Sequence, residues 1–190
     1  ARCAGSLRAR QQDPAGAVAE LRRAVTDLGL LGAYIGTDLG RPLDDPAFDP
    51  LYAACVELDI PISLTVGVPG PRLPMAPQHV ELIDEVCWFF PELRFVMRHG
   101  AEPWVDLAIK LMLKYPNLYY CTSAFRPKHY PKAIVQYANT RGADKIMYAG
   151  YFPMGLSLER IMLDMPEVPF KPEVWPKFLH ENARRVFKLD

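Results

Sequence analysis

The chain has 190 residues, half of them hydrophobic and 23% charged, with Lys plus Arg and Asp plus Glu balanced at 22 each. That length supports one good-sized core and excludes two ordinary domains. The neutral balance excludes the basic excess of a nucleic-acid binder and the polybasic patch of a membrane-surface protein, and the apolar runs are far too short for a membrane span.

The pattern alternates between two periods from the start of the chain. Residues 2–7 make a weak first strand. Val18, Leu21, Val25 and Leu28 then repeat at helical spacing, followed by a strand-length apolar run at 30–36. Asp45-Pro46 opens the next helix, since Pro suits a first helical turn, and Phe48, Leu51, Tyr52, Cys55 and Val56 give it an apolar face. Runs at 60–67, 93–99, 118–123 and 145–150 read as further strands. Val80, Ile83, Val86, Cys87 and Phe90 form one intervening helix, and Val105, Ala108, Ile109 and Met112 another. A last helix covers 172–187. Pro61, Pro91 and Pro116 fall between a helix end and a strand, where a missing N–H costs little.

Near-continuously apolar strands are buried on both faces, and strand–helix repetition every ~25–30 residues reads as parallel βα units. A doubly wound sheet and a (β/α)8 barrel both use such units. No GxGxxG or GxxxxGK[ST] loop follows any strand, which counts against nucleotide binding. Five clear strands and a weak sixth fall short of a closed barrel. The expected fold is therefore α/β, the C-terminal portion of a (β/α)8 TIM-like barrel, as one partial domain over residues 1–190. The first residue is not Met and no signal-like segment precedes the first helix, so a fragment or processed form is expected.

In such architectures chemistry sits at the C-terminal strand ends. Those positions are Gly36-Thr37-Asp38, Thr65-Val66-Gly67, Arg98-His99-Gly100, Thr122-Ser123-Ala124 and Gly150-Tyr151-Phe152-Pro153. His99 stands out, because a neutral imidazole there can bind a metal or move a proton near neutral pH. Arg98, Arg126 and His129 are candidate substrate contacts beside it, with Glu102 and Thr65. An Arg at a strand end can hold a carboxylate through two hydrogen bonds. Tyr151 is a candidate hydrogen-bond donor or proton relay, and a half-buried packing ring on the competing reading. Lys128 reads as solvated, and His79 and His180 as surface residues. Trp88, Trp104, Trp175, Tyr148 and Met154 read as core or interface packing. Ser123 lacks the GxSxG elbow of a nucleophile. Cys3, Cys55, Cys87 and Cys121 make no CxxC pair and read as buried free thiols of a reducing, cytoplasmic protein.

Six blocks, in order, carry a resemblance. They are AVAELRRA at 17–24 with GAYI at 32–35, PLDDP at 42–46, LDIPISLT at 58–65, FVMRHGAEPW at 95–104, KIMYAGYFP at 145–153 and ENARRVF at 181–187. Together they resemble the amidohydrolase-related barrels, in the branch that includes aminocarboxymuconate-semialdehyde decarboxylase. The resemblance implies hydrolysis or non-oxidative decarboxylation of small, often aromatic, carboxylates at a divalent metal such as zinc. It also implies a His-x-His pair on strand one, a His ending strand five, a His on strand six and an Asp ending strand eight. Here Thr65 stands at the strand-five position and Tyr151 at the strand-eight position, while His99 matches strand six. Thr and Tyr do not replace imidazole and carboxylate as ligands, so no metal is expected from the ligands present.

Two readings follow. One is a hydrolase or decarboxylase with His99 and Tyr151 catalytic and Arg98, Glu102, Arg126, His129 and Thr65 binding substrate. The other is a catalytically degenerate barrel that binds a ligand or a partner subunit. Both carry the expectation of a homo-oligomer or of a partner that completes the barrel, because unpaired strand edges invite association.

Overall fold

The computed structural model describes residues 5–9, 13–36, 40–152 and 154–189. Cys3, Thr37, Asp38 and Pro153 lie outside them. Six parallel strands form one sheet: β1 (Ser6–Arg8), β2 (Gly32–Ile35), β3 (Ile62–Thr65), β4 (Phe95–Arg98), β5 (Leu118–Cys121) and β6 (Ile146–Met147). Their spatial order is their chain order, β1-β2-β3-β4-β5-β6, with no reversal. This is the winding of a barrel, and the doubly wound alternative is excluded. Of the weak first strand expected at 2–7, residues 2–4 lie outside the described ones, and β1 begins at Ser6.

Local chemistry sets the elements between. Asp13 accepts the Gly16 N–H at 2.9 Å and starts α1 (Pro14–Thr26). Asp45 accepts the Ala47 N–H at 2.9 Å and starts the turn that leads into α2 (Asp49–Glu57). Arg22 of α1 bonds both carboxylate oxygens of Glu57, which ties the two helices together. Then follow α3 (Ile83–Phe89), α4 (Val105–Lys114), α5 (Lys132–Ala138) and α6 (Leu158–Asp164). The last segment is α7 (Val174–Pro176), a π turn at Lys177–Glu181 and α8 (Asn182–Phe187). Among the described residues no helix is long and apolar enough to cross a membrane.

The sheet is buried on both faces, which is why its strands read as apolar runs. One face carries Ala33, Ile35, Ile62, Leu64, Phe95, Met97, Leu118, Tyr120 and Ile146 and meets the helices in the main core. The other carries Val96, Tyr119, Cys121 and Met147, packed with Val186, Ala183 and Phe187 of α8. Register places Tyr34, Ser63 and Val96 side by side on this second face, with Thr65 beside Arg98 at its end. The terminal segment thus wraps the edge at β6, with Phe178 in the first core and Val186 in the second. Cys55, Cys87 and Cys121 are buried free thiols, and burial pushes those of Cys55 and Cys87 up to about 12. Of the residues read as core or interface packing, Trp88 and Met154 are 68% and 67% exposed and so lie outside this chain's core.

Candidate functional site

The end of β4 is an unusual piece of backbone. His99, Gly100 and Ala101 take φ values of +65°, +86° and +56°, a left-handed run in which only glycine is at ease. Such a run persists only where its surroundings over-determine it. The His99 N–H donates to Ser123 Oγ at 3.1 Å. The Tyr120 hydroxyl donates to the Gly100 carbonyl at 3.1 Å, and the Val68 N–H to the Glu102 carbonyl at 2.8 Å. Gly100 is required twice, because a Cβ there would stand 2.5 Å from the Phe125 ring.

This turn fixes the His99 imidazole, which is half-buried. Its Nδ1 lies 3.1 Å from Ser123 Oγ, and its ring meets Tyr151 edge-on at 5.8 Å between centroids. Burial, and next the adjacent Arg98 charge, push its pKa down to about 4, so the ring is neutral at pH 7. The Arg98 guanidinium stacks 4.2 Å above the Tyr34 ring. Among the described residues it has no acidic partner. Its register neighbour Thr65 is 2% exposed, and the Thr65 hydroxyl has no hydrogen-bond partner there. A guanidinium at a strand end with no acidic partner among the described residues is suited to an anion.

Next to these strand ends lies a cavity of about 690 Å³, lined by Glu102, Phe125, Arg126, His129 and Tyr151 among others. Thr65, Arg98 and His99 stand beside it and do not line it. Arg126 is already engaged: its Nε donates to Asp164 Oδ2 at 2.8 Å, and Arg160 pairs with the other oxygen at 3.3 Å. Asp164 is 4% exposed, so this is an anchored ion cluster in the cavity wall. Lys128 is exposed, as expected, and so is His180. His79, expected at the surface, is half-buried and stacks on Trp104 at 3.9 Å.

Sequence reasoning missed two contributors. In the sequence Ser123 raises only the question of a nucleophile, and nothing in a lone Ser marks it as a partner of a His 24 residues away. Asp164 carried a faint signal, the Arg160/Asp164 spacing of an i,i+4 helical pair.

The implied divalent metal does not suit the donors present. Among the described residues no three His, Cys, Asp or Glu converge where an ion would sit. Thr65 and Tyr151 offer a hydroxyl and a phenol in place of imidazole and carboxylate, and the His99 Nδ1 is turned to Ser123.

Known proteins agree with this architecture. A 2-keto-4-carboxy-3-hexenedioate hydratase of Sphingobium sp. is 31% identical over 130 residues, covering 57% of this chain and 38% of its own length. A gamma-resorcylate decarboxylase of Rhizobium sp. is 26% identical over 234 aligned positions, covering 94% of this chain and 68% of its own. An alignment longer than the 190-residue chain means that the decarboxylase carries insertions relative to it. Among solved structures, an uncharacterized TIM-barrel protein from Bordetella bronchiseptica superposes with a TM-score of 0.82 at 28% identity, over 97% of this chain and 66% of that one. A dihydroxybenzoic acid decarboxylase from Polaromonas sp. JS666, with manganese and 2-nitroresorcinol bound, superposes at 0.70 with 20% identity, over 94% and 67%. The chain thus spans part of the length of each relative and forms part of a barrel. Residues 1–189 match the amidohydrolase family profile, and the chain belongs to the amidohydrolase family.

Proposed function

We propose that this chain forms the proton-transfer side of a carboxy-lyase site for small, aromatic carboxylates. The observation that carries the reading is the strand-end group itself. A neutral imidazole follows in sequence a guanidinium that has no acidic partner among the described residues, at the strand ends beside the cavity. The decarboxylases among the relatives support the same class of chemistry.

In this reading the substrate carboxylate is held by the Arg98 guanidinium, and Thr65, expected from sequence to bind substrate, is sealed beside it. As the anionic substrate binds, His99 takes up a proton from solvent, and the imidazolium gives its Nε2 proton to the carbon that bears the carboxylate and returns to the neutral ring. The bond from that carbon to the carboxylate then breaks, its electron pair stays with the carbon, and carbon dioxide leaves. The net change is a carboxylate plus a proton giving a C–H product and carbon dioxide. A positioned general acid of this kind contributes about 10²–10⁴-fold. Tyr151, edge-on to the ring, and the walls at Glu102, Arg126 and His129 shape the space for the rest of the substrate. A cytoplasmic location and association with a second copy or a partner chain belong to the same proposal.

The test is carbon dioxide release from a panel of hydroxybenzoates that includes gamma-resorcylate, alongside direct binding measurements. Turnover of at least one member supports the lyase reading. Tight binding with no release across the panel overturns it in favour of a ligand-binding barrel.

A further inference from the structure

The geometry points to Ser123 as a positioning residue that locks His99 in the neutral tautomer with its proton on Nε2. This inference rests on the proposed role of His99.

It follows from a proton count around one oxygen. Ser123 Oγ is 2% exposed with its residue, and has one proton and two lone pairs to share. One lone pair is taken by the His99 backbone N–H at 3.1 Å, a donor whose role cannot change. Two neighbours remain: His99 Nδ1 at 3.1 Å and Cys121 Sγ at 3.6 Å. One must donate to the oxygen and the other accept from it. Burial raises the Cys121 thiol above its ordinary range, so it keeps its proton and is the donor. Imidazole nitrogen is also a far better acceptor than thiol sulfur. The serine proton therefore goes to Nδ1, and the ring's own proton is left on Nε2.

That assignment gives the second nitrogen its function. Nε2 makes no hydrogen bond among the described residues, yet it is not one of the sealed, orphaned buried atoms, so it is open to solvent or ligand. An Nε2–H there is a donor poised at the strand ends. The left-handed turn at His99 serves the arrangement, because it sets the backbone N–H and Nδ1 of one residue on the same serine oxygen. Ser123 thus holds both the rotation of the ring and its tautomer, as second partners of functional histidines do.

The experiment is a long-range proton–nitrogen NMR correlation on the full chain labelled with nitrogen-15, at neutral pH. The chain has 4 His, so His99 is assigned by comparison with His99→Gln. A pyridine-type Nδ1 and a pyrrole-type Nε2 are expected. Ser123→Ala should move both nitrogens toward the averaged values of a free neutral imidazole, and Ser123→Thr should restore them. A pyrrole-type Nδ1 in the unmodified protein overturns the proposal, as does an unchanged His99 signature in Ser123→Ala. The unmodified spectrum decides the tautomer even where the alanine variant folds poorly. With a decarboxylated substrate in hand, Ser123→Ala should lower kcat about 10-fold or more at constant KM. The spectra do not depend on turnover. A protein with the expected tautomer and no activity retains this inference and loses the lyase reading.

Discussion

The side-chain amide of Asn182 on α8 donates to the carbonyl of Ile146 on β6 at 2.9 Å, on the open edge of the last strand. The same nitrogen bonds the Ala143 carbonyl at 2.7 Å, and Asn182 is completely buried. One turn earlier the Phe178 carbonyl accepts the Tyr148 N–H at 2.7 Å. The π turn makes this possible: the Asn182 N–H bonds the Lys177 carbonyl, leaving that of Phe178 without its ordinary α-helical partner. The terminal segment therefore satisfies the β6 edge as a neighbouring strand would.

Asn182→Ala should accordingly destabilise the fold by about 2–4 kcal/mol, because it orphans two buried carbonyls and opens a small void. Urea unfolding should show a lower midpoint at an unchanged slope. A loss below ~0.5 kcal/mol would mean that the edge is held by something else.

Gly100→Ala tests the turn under His99. It adds a Cβ at φ +86° and drives it into the Phe125 ring, which lines the cavity. A folded protein less stable by about 1–3 kcal/mol is expected, with substrate binding weakened through the displaced ring. Thermal unfolding and ligand titration read the two effects separately.

His99 makes stability depend on acid. Its folded pKa is pushed down to about 4, below the ordinary ~6.5 of the unfolded chain. The contribution is complete above ~6.5 and is lost as pH falls toward about 4, where the unfolded state binds the extra proton first. The loss in this window is ~2 kcal/mol for a half-buried ring. In His99→Gln the stability-against-pH curve should be flatter between those limits. Parallel curves for both proteins would contradict the buried, neutral ring.

The two arginines should separate cleanly. Arg98→Gln removes a cation that has no acidic partner among the described residues and should raise KM about 10–100-fold with little change in stability, in line with ~1.5–3 kcal/mol for a charged hydrogen bond. Arg126→Gln withdraws one of the two partners of buried Asp164 and should lower stability by ~2 kcal/mol. Steady-state kinetics and denaturant melts on both variants decide the assignment.

The strands were legible because both sheet faces are buried, so each shows as an unbroken apolar run whichever way a residue points. Their bounds were less so. The run at 145–150 yields only Ile146–Met147, since the backbone of Tyr148 turns to Phe178. The short helices α5 and α6 present too few turns for a clear period. Side-chain identity did not separate core from surface at Trp88, whose bulk says nothing of the side of the helix it occupies, and misled at His79, whose partner Trp104 lies 25 residues on. The rule of strand ends named Thr65, Arg98, His99 and Tyr151 as candidates. It did not find the pairings Ser123–His99 and Arg126–Asp164, which join residues 24 and 38 apart and leave no local pattern.

The central claim is that His99 carries the proton. The measurement is kcat for carbon dioxide release by the unmodified protein and by His99→Ala, on whichever hydroxybenzoate the panel shows to be turned over. The account predicts a fall of about 10²–10⁴-fold in the variant with binding largely retained. Equal kcat in the two proteins would contradict it.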